Sequence, residues 1–568
     1  MKVLFYSLHA AIWPHALPEN RFVRELTERG HETVYVSCGR TFPMHCTSYA
    51  ASAMPIDAPR DTKDRVCRDC TRNAQILTNG SGARHLELQN FLTVEDEARI
   101  DALLEGVTRE NYLDFRFDGV DVGKITTYEL FLLFKKMSTS LDEDEWAYYR
   151  IYLRNSMQSL VGFSRIYAQE RPDSVFFYSP QYGVNGVCAQ YAAQQGSKAY
   201  FIEGSSSNSE RYRALRIWEY QEHGLVNPGL RYWKKVRNKL SPHDVRRVTG
   251  HFEELLNAQS FAVYSAPRVQ QFSLRRHFGI PDGAKILLAT LSSFDEAYAA
   301  YVIGKFPERK VQSPVFRDQF EWIQSTIAHL SEREDVHLIV RIHPRDYPNK
   351  RDPRQSEQAA LWEKMFESCP ANVTVDWPHD GISLYNILAQ VDAVITGWSA
   401  TGTEALVLGV PVVTYDRHLP SYPPDIHFTG ETRAEYYANI ERALARGHGS
   451  DLTEDAWRWL AVSFSMGTVQ VALPSPGIGT HWPRRFVYRV VRKILNLAFG
   501  KLLLRWDTRR GFTTSRDADR FHELVTKGDN SLYESVERSP PHHDAAAVSQ
   551  AIAAESRRLA SLIGGTPA

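Results

Sequence analysis

The chain carries no surplus of either charge: 67 Lys and Arg residues balance 67 Asp and Glu residues over 568 positions. Such a balance lacks the excess basicity of a nucleic-acid binder, so nucleic acid is excluded as a partner and any basic surface must be local. Only six cysteines are present, too few to staple a chain of this length with disulfides. No uninterrupted apolar run reaches the roughly 18 residues that a membrane-spanning helix needs. The opening stretch MKVLFYSLHAAIWPHALPEN has too short an apolar core, broken by proline and histidine, for a secretory signal. The expectation from these absences is a cytoplasmic globular protein. At this length one hydrophobic core does not suffice, and two or three domains are expected.

What is present alternates between strand and helix. KVLFYSL reads as a buried strand, ENRFVRELTERG as an amphipathic helix closed by Gly30, and HETVYVSC as the next strand, together a βαβ unit. From about residue 93 to 170 the pattern turns helical, with apolar residues three and four apart in EDEARIDALLEG and DEWAYYRIYLRNSMQSLVGFSRIYAQE. Strands resume at DSVFFYS and KAYFIEG, and a second alternation begins at AKILLATLSS and runs through VHLIVRI, NVTVDW, DAVITG and PVVTYD. The predicted fold class is α/β, with two doubly wound Rossmann-like domains facing a cleft. The first domain is placed at 1–265 with the helical insertion, the second at 266–470, and a helical basic tail at 471–568, crossing back to the first domain.

Ligands of open parallel sheets bind beyond the carboxyl ends of the strands. VRIHPR, Val340 to Arg345, ends a strand with an imidazole locked to a proline, because Pro344 cannot continue a ladder and restricts His343 before it. Arg341 and Arg345 flank it, as a phosphate site would require. The loop TGWSATGTEALVLG, Thr396 to Gly409, offers small residues, the hydroxyls of Ser399, Thr401 and Thr403, and a helix N-terminus to an anion. Glu404 in that helix suits ribose hydroxyls; Thr401-x-x-Glu404 also matches a capping box that needs no ligand. In KAYFIEGSSSN, Glu203 ends a first-domain strand, either as a base for an acceptor hydroxyl or as a turn residue. His9, His15 and Glu19 lie in the loop after the first strand, and His15 is an alternative base.

Cys38, Cys46, Cys67 and Cys70 fall within about thirty residues, as either a structural zinc site or reduced thiols. The acidic run LDEDEW, residues 141 to 146, lies in a helical region, and no catalytic metal is expected. Residues 481–510, HWPRRFVYRVVRKILNLAFGKLLLRWDTRR, are basic and apolar together. They read either as a crossover helix or as a peripheral contact with the inner membrane.

IEG in the first half, RIHP in the second and SATGTEALVLGVPVVTYD beyond it resemble bacterial capsule and surface polysaccharide glycosyltransferases of the GT-B type. They are similar in particular to the HP-motif sialyltransferases and Kdo transferases. The resemblance implies a nucleotide-sugar donor, CMP-linked in preference, and a glycan or lipid-linked glycan acceptor. It further implies Glu203 as the general base, His343 on the donor phosphate, and Ser399 and Thr401 near that phosphate. A single acid stands in IEG where the sialyltransferase pattern has an acidic pair. A nucleotide-sugar epimerase, a CDP-polyol phosphotransferase and a non-catalytic glycan-binding or scaffold protein are the alternatives.

Overall fold

Apolar runs bounded by glycine and proline become the strands of two separate sheets. The computed structural model describes the chain except for residues 180, 221–226, 259–262, 450–452, 474–507, 509–510, 541–543 and 564–568. The basic stretch 481–510 therefore lies, but for Thr508, outside the described residues.

The first sheet contains β1 (Lys2–Tyr6), β2 (Glu32–Ser37), β3 (Arg84–Glu87), β4 (Ser174–Tyr178), β5 (Lys198–Gly204) and β6 (Ala214–Glu219). The second contains β7 (Lys285–Thr290), β8 (Val336–Arg341), β9 (Val373–Asp376), β10 (Ala393–Thr396), β11 (Val412–Thr414) and β12 (Phe428–Thr429). A last strand, β13 (Thr468–Gln470), returns to the first sheet. The orders are β13-β6-β5-β4-β1-β2-β3 and β12-β11-β10-β7-β8-β9. All pairings in the second sheet are parallel; in the first, only β6 breaks the parallel set, pairing antiparallel with both β5 and β13. The two doubly wound α/β units expected from the alternation are present. The strands read as continuous apolar runs because helices cover both faces of each sheet.

Helix Trp13–Glu28 begins well before Glu19, where the apolar period first shows. Pro14 falls in the first turn, whose N–H groups have no helical partner in any case. Pro18 leaves only the Pro14 carbonyl without its partner. This early start brings His15 and Glu19 onto one helical face, four residues apart. The helical insertion is built from Val94–Glu105, Val122–Phe134 and Glu143–Glu170. Its first and last helices start in full capping boxes, Thr93 with Asp96 and Asp142 with Glu145.

The C-terminal part is shared between the domains: β13 and Phe521 join the core of the first sheet, and the last helix joins that of the second. β13 already pairs with β6 by Thr468, ahead of residue 470, where the second domain was expected to end. Helices Ser515–Lys527 and Leu532–Arg538 follow, and helix Ala545–Ile563 packs against helix Pro242–Asn257. Phe521 is fully buried, with its ring centroid 4.5 Å from Phe22 and 5.9 Å from Phe176. Phe521→Ala should therefore cost about 3–5 kcal/mol, read as a lower denaturant midpoint, although the substitution lies more than 300 positions away from β4 in sequence (521 against 174–178).

Candidate functional site

In the second sheet the strand order reverses between β7 and β10, and at such a switch point the connections leave in opposite directions and open a crevice. A cavity of about 350 Å³ lies there. Its wall combines Thr290 to Ser293 after β7, Arg341 to Pro344 after β8, Trp398 to Thr401 after β10, Tyr264, Tyr385, Glu296 and Glu404, with Asn208 reaching in from the first domain. Its size is in the range of small-molecule sites.

His343 has a defined hydrogen-bonding state. The backbone N–H of Arg345 donates to His343 Nδ1 at 3.2 Å, so the ring proton of the neutral imidazole sits on Nε2. Desolvation lowers the His343 pKa to about 4; Asp295 opposes this and Arg345, Arg341 and Arg351 add to it. At neutral pH His343 is thus an uncharged donor on the cavity wall. The Tyr264 ring packs edge-on at 5.7 Å, with Arg351 over its face at 4.0 Å.

Two further hydroxyls, neither of which stands out in sequence, belong to residues of the same wall. Thr290 and Ser292 are buried, and Thr290 Oγ1 and Ser292 Oγ have no hydrogen-bond partner among the described residues. Buried polar atoms are otherwise nearly always paired, so these two mark a place where a polar ligand group would be satisfied. Gln319 holds the loop in position: its Oε1 accepts from Ser292 N and its Nε2 donates to Ser292 O, both at 2.9 Å. The sequence signal was the run TLSS, read only as the end of a strand.

Ser399 Oγ donates to Thr401 Oγ1 at 3.2 Å, and both residues line the cavity. Thr403 does not: its hydroxyl returns to the Ala400 carbonyl at 2.9 Å. Ala400, without a side-chain cap, precedes helix Thr401–Val407, so the capping-box alternative for Thr401 and Glu404 is not realised. The Glu404 carboxylate instead accepts from Tyr385 Oη at 2.9 Å, and desolvation raises its pKa to about 7 against that bond.

The two arginines are committed to carboxylates. Arg341 pairs with the buried Asp376 on the neighbouring strand and donates to the Ile382 carbonyl at 3.1 Å, while still lining the cavity. Arg345 lies off the cavity wall and binds Asp295 through Nε and Nη2, at 3.0 and 2.6 Å. Glu203 is also outside the cavity: Arg216, opposite it on β6, donates to its carboxylate at 3.2 Å and Gln181 Nε2 donates at 3.4 Å.

The corresponding crevice of the first sheet, between β1 and β4, holds a buried polar cluster. Ser7 Oγ donates to Glu19 Oε2 at 2.6 Å, Tyr35 Oη donates to Ser7 Oγ at 2.9 Å, and His9 Nε2 lies 3.5 Å from Glu19. The His15 ring sits between Tyr178 and Tyr212, at 4.8 and 5.2 Å. Burial raises the Glu19 pKa to about 8 and lowers His9 to about 3. This cluster does not reach the second-domain cavity.

The four cysteines do converge, on one small cavity of about 20 Å³. The zinc expectation is nevertheless not supported: among the described residues no group of three or more His, Cys, Asp or Glu side chains is arranged to hold a metal ion. Cys67 and Cys70 sit inside the 22-residue helix Arg60–Ser81 rather than in a knuckle turn, and the Cys67 Sγ is 2.9 Å from Tyr49 Oη. Burial pushes the Cys38 thiol up to about 12 and also raises Cys46 and Cys70. Burial thus disfavours the thiolate at Cys38, Cys46 and Cys70. Among the described residues no helix is long and apolar enough to cross a membrane.

Two predictions follow from these contacts. A Cβ on Gly402 would lie 2.1 Å from Tyr422 Oη, and Tyr422 is buried. Gly402→Ala should thus destabilise the second domain by about 1–3 kcal/mol, measured by chemical denaturation. For Glu19, native and unfolded chains are both protonated below about pH 4.5, and the native carboxyl keeps its proton up to about 8. Its contribution to stability therefore falls as pH rises from 4.5 to 8, by at most about 1.4 kcal/mol per pH unit. Glu19→Gln, which keeps an acceptor for Ser7, should gain stability relative to wild type across that window, and equal pH profiles for the two proteins would refute the assignment.

No family model matches the chain, and no curated protein matches it. Solved structures that align with it include KpsC, a beta Kdo 2,4 transferase of Thermosulfurimonas dismutans, at 11% identity, covering 63% of this chain and 88% of that one with a TM-score of 0.30. The UDP-GlcNAc 2-epimerase of Methanocaldococcus jannaschii, in complex with UDP-GlcNAc and UDP, aligns at 11% identity over 81% of this chain and 98% of that one, with a TM-score of 0.28. The glycosyltransferase SnogD of Streptomyces nogalater aligns at 13% identity over 87% and 99%, with a TM-score of 0.23. At these TM-scores the alignments carry no argument about activity, and the two-domain α/β architecture rests on the strand order itself.

Proposed function

We propose that the protein is a GT-B glycosyltransferase that moves a sugar from a nucleotide donor, CMP-activated and of the Kdo or nonulosonic acid type, onto a surface polysaccharide or its lipid-linked precursor. The observation that carries this reading is the second-domain cavity, where the His343 Nε2–H, the unpartnered Thr290 and Ser292 hydroxyls and the Tyr385–Glu404 pair converge. The first three suit phosphate oxygens, and Glu404 suits ribose hydroxyls. Ser399 and Thr401 add hydroxyls beside the phosphate.

The charge on the wall favours one phosphate over two. Arg341 is the one cationic side chain among the described lining residues, and Asp376 already neutralises it. At the phosphate itself a cytidine monophosphate ester carries one negative charge against two for a diphosphate and so suits that wall better, while the carboxylate of a Kdo or nonulosonic acid sugar would need a partner elsewhere. As the bond to the sugar breaks, charge builds on the departing phosphate oxygen, and a fixed N–H donor stabilises it most where water is scarce. His343 would supply that donor without a metal ion. The incoming hydroxyl needs a base, and two carboxylates, Glu203 and Glu296, both act electrostatically on Tyr128 at the cleft. A nucleotide-sugar donor places the reaction in the cytoplasm, and the basic stretch 481–510 would serve a lipid-linked acceptor at the membrane surface.

The test is thermal stabilisation by CMP, CDP, UDP and GDP. CMP at a hundred times its Kd should stabilise the protein by about 2.7 kcal/mol, and His343→Ala and the double variant Thr290→Val with Ser292→Ala should each weaken that gain. Preference for UDP or GDP would replace the donor, and indifference to every nucleotide would sink the transferase reading.

A further inference from the structure

Four carboxylates stand close to the cavity, and three of them are occupied. Asp295 is buried and accepts from Ser293 Oγ and from the Arg345 guanidinium. Asp376 holds Arg341. Glu404 accepts from Tyr385. Glu296 differs: it lines the cavity, its side chain is 61% exposed, and its nearest ion-pair contact is a long one, 3.9 Å to Arg345 Nε. Asp295 takes the hydrogen bonds of the Arg345 Nε and Nη2, so Arg345 acts on Glu296 through charge at long range without bonding it.

Position also distinguishes Glu296 from Glu203, the acid of the IEG motif. Glu203 is paired with Arg216 in its own sheet and is absent from the cavity wall. Glu296, in the first turn of helix Phe294–Val302, shares the wall with His343 and Ser292. It also faces the first domain, since Arg211 acts on its charge and it acts on Tyr128.

We propose that Glu296, and not Glu203, is the catalytic base that takes the proton from the acceptor hydroxyl, an inference that rests on the transferase reading above. In that step the hydroxyl proton passes to the Glu296 carboxylate and the freed oxygen pair forms the new bond to the anomeric carbon. The bond from that carbon to the phosphate oxygen breaks, its electron pair leaves on the phosphate, and the His343 N–H holds the charge. Glu296 then returns the proton to water. A base on the donor domain travels with the bound nucleotide sugar, so its distance to the anomeric carbon does not depend on how the two domains close.

The experiment measures nucleotide released from a panel of CMP-, UDP- and GDP-linked sugars, with water as the acceptor, for wild type, Glu296→Gln, Glu296→Ala and Glu203→Gln. Nucleotide-induced thermal stabilisation is measured on the same proteins. Glu296→Gln is expected to slow release about 100-fold or more while keeping the thermal shift, and added formate should restore part of the activity of Glu296→Ala, which a structural role would not allow. Release by Glu296→Gln within threefold of wild type, or no formate rescue together with a deeper loss in Glu203→Gln, would overturn the assignment while leaving the transferase reading intact. A wild-type protein that releases nucleotide from no donor would overturn that reading, and this inference with it.

Discussion

Asp295 and Arg345 form a buried two-pronged ion pair that joins the first turn of helix Phe294–Val302 to the turn after β8. Removing two charges from water is costly, and such a pair persists only where geometry and extra hydrogen bonds compensate it. Here the compensation is complete on the acid side, because Ser293 also donates to Asp295. The consequence reaches His343 through the chain. With the Arg345 side chain fixed, its backbone N–H is fixed too, and that N–H is what holds His343 Nδ1. The tautomer of the site histidine thus depends on an ion pair that never touches the cavity.

The same arginine ties the two domains together. Arg345 Nη2 donates to the Leu132 carbonyl at 2.9 Å, at the end of helix Val122–Phe134 in the helical insertion. The two residues that follow this helix add to the contact. Lys135 donates to the Arg354 carbonyl, and Lys136 bridges Glu145 and Glu357 at 3.0 and 2.7 Å. Phe131 stacks on Tyr298 at 5.7 Å, and Arg354 lies over the Phe134 ring. The insertion is therefore a strut that presses on the loop after His343, and changes in the first domain can be transmitted to His343 through packed, hydrogen-bonded contacts.

The fold was legible because the central strands of both sheets are buried and mostly parallel, so their apolar runs and bounding glycines are visible without structure. His343, Ser399, Thr401 and Glu404 were legible for a related reason: they follow strands, and ends of parallel strands are where connections diverge. Thr290 and Ser292 were not, since a threonine or serine at a strand end looks like any β-compatible residue until its hydroxyl is found buried without a partner. Arg341 and Arg345 looked like phosphate ligands because charge is visible in sequence and its partner is not; Asp376 and Asp295 lie 35 and 50 positions away. Long-range pairing also hid β13, three residues that close the first sheet from the far end of the chain. The cysteines illustrate the opposite error. Their spacing suggested a metal, but helix Arg60–Ser81 spreads Cys67 and Cys70 along one apolar face, where Tyr49 meets the thiol of Cys67.

Taken together, the buried pairs leave the cavity with little net positive charge. Arg341 and Arg345 are each cancelled within their own hydrogen-bonding shell, and His343 is held neutral by desolvation and three neighbouring arginines. A wall of this kind binds an anion through directed N–H and O–H dipoles rather than through ions. Such binding discriminates by geometry and loses little to salt, because screening acts on separated charges far more than on short hydrogen bonds. It also favours a ligand whose charge grows during the reaction over one that carries it from the start: a fixed dipole gains most when charge appears where it points. With Arg341 and Arg345 both paired, the neutral His343 is left on the cavity wall as a directed N–H donor.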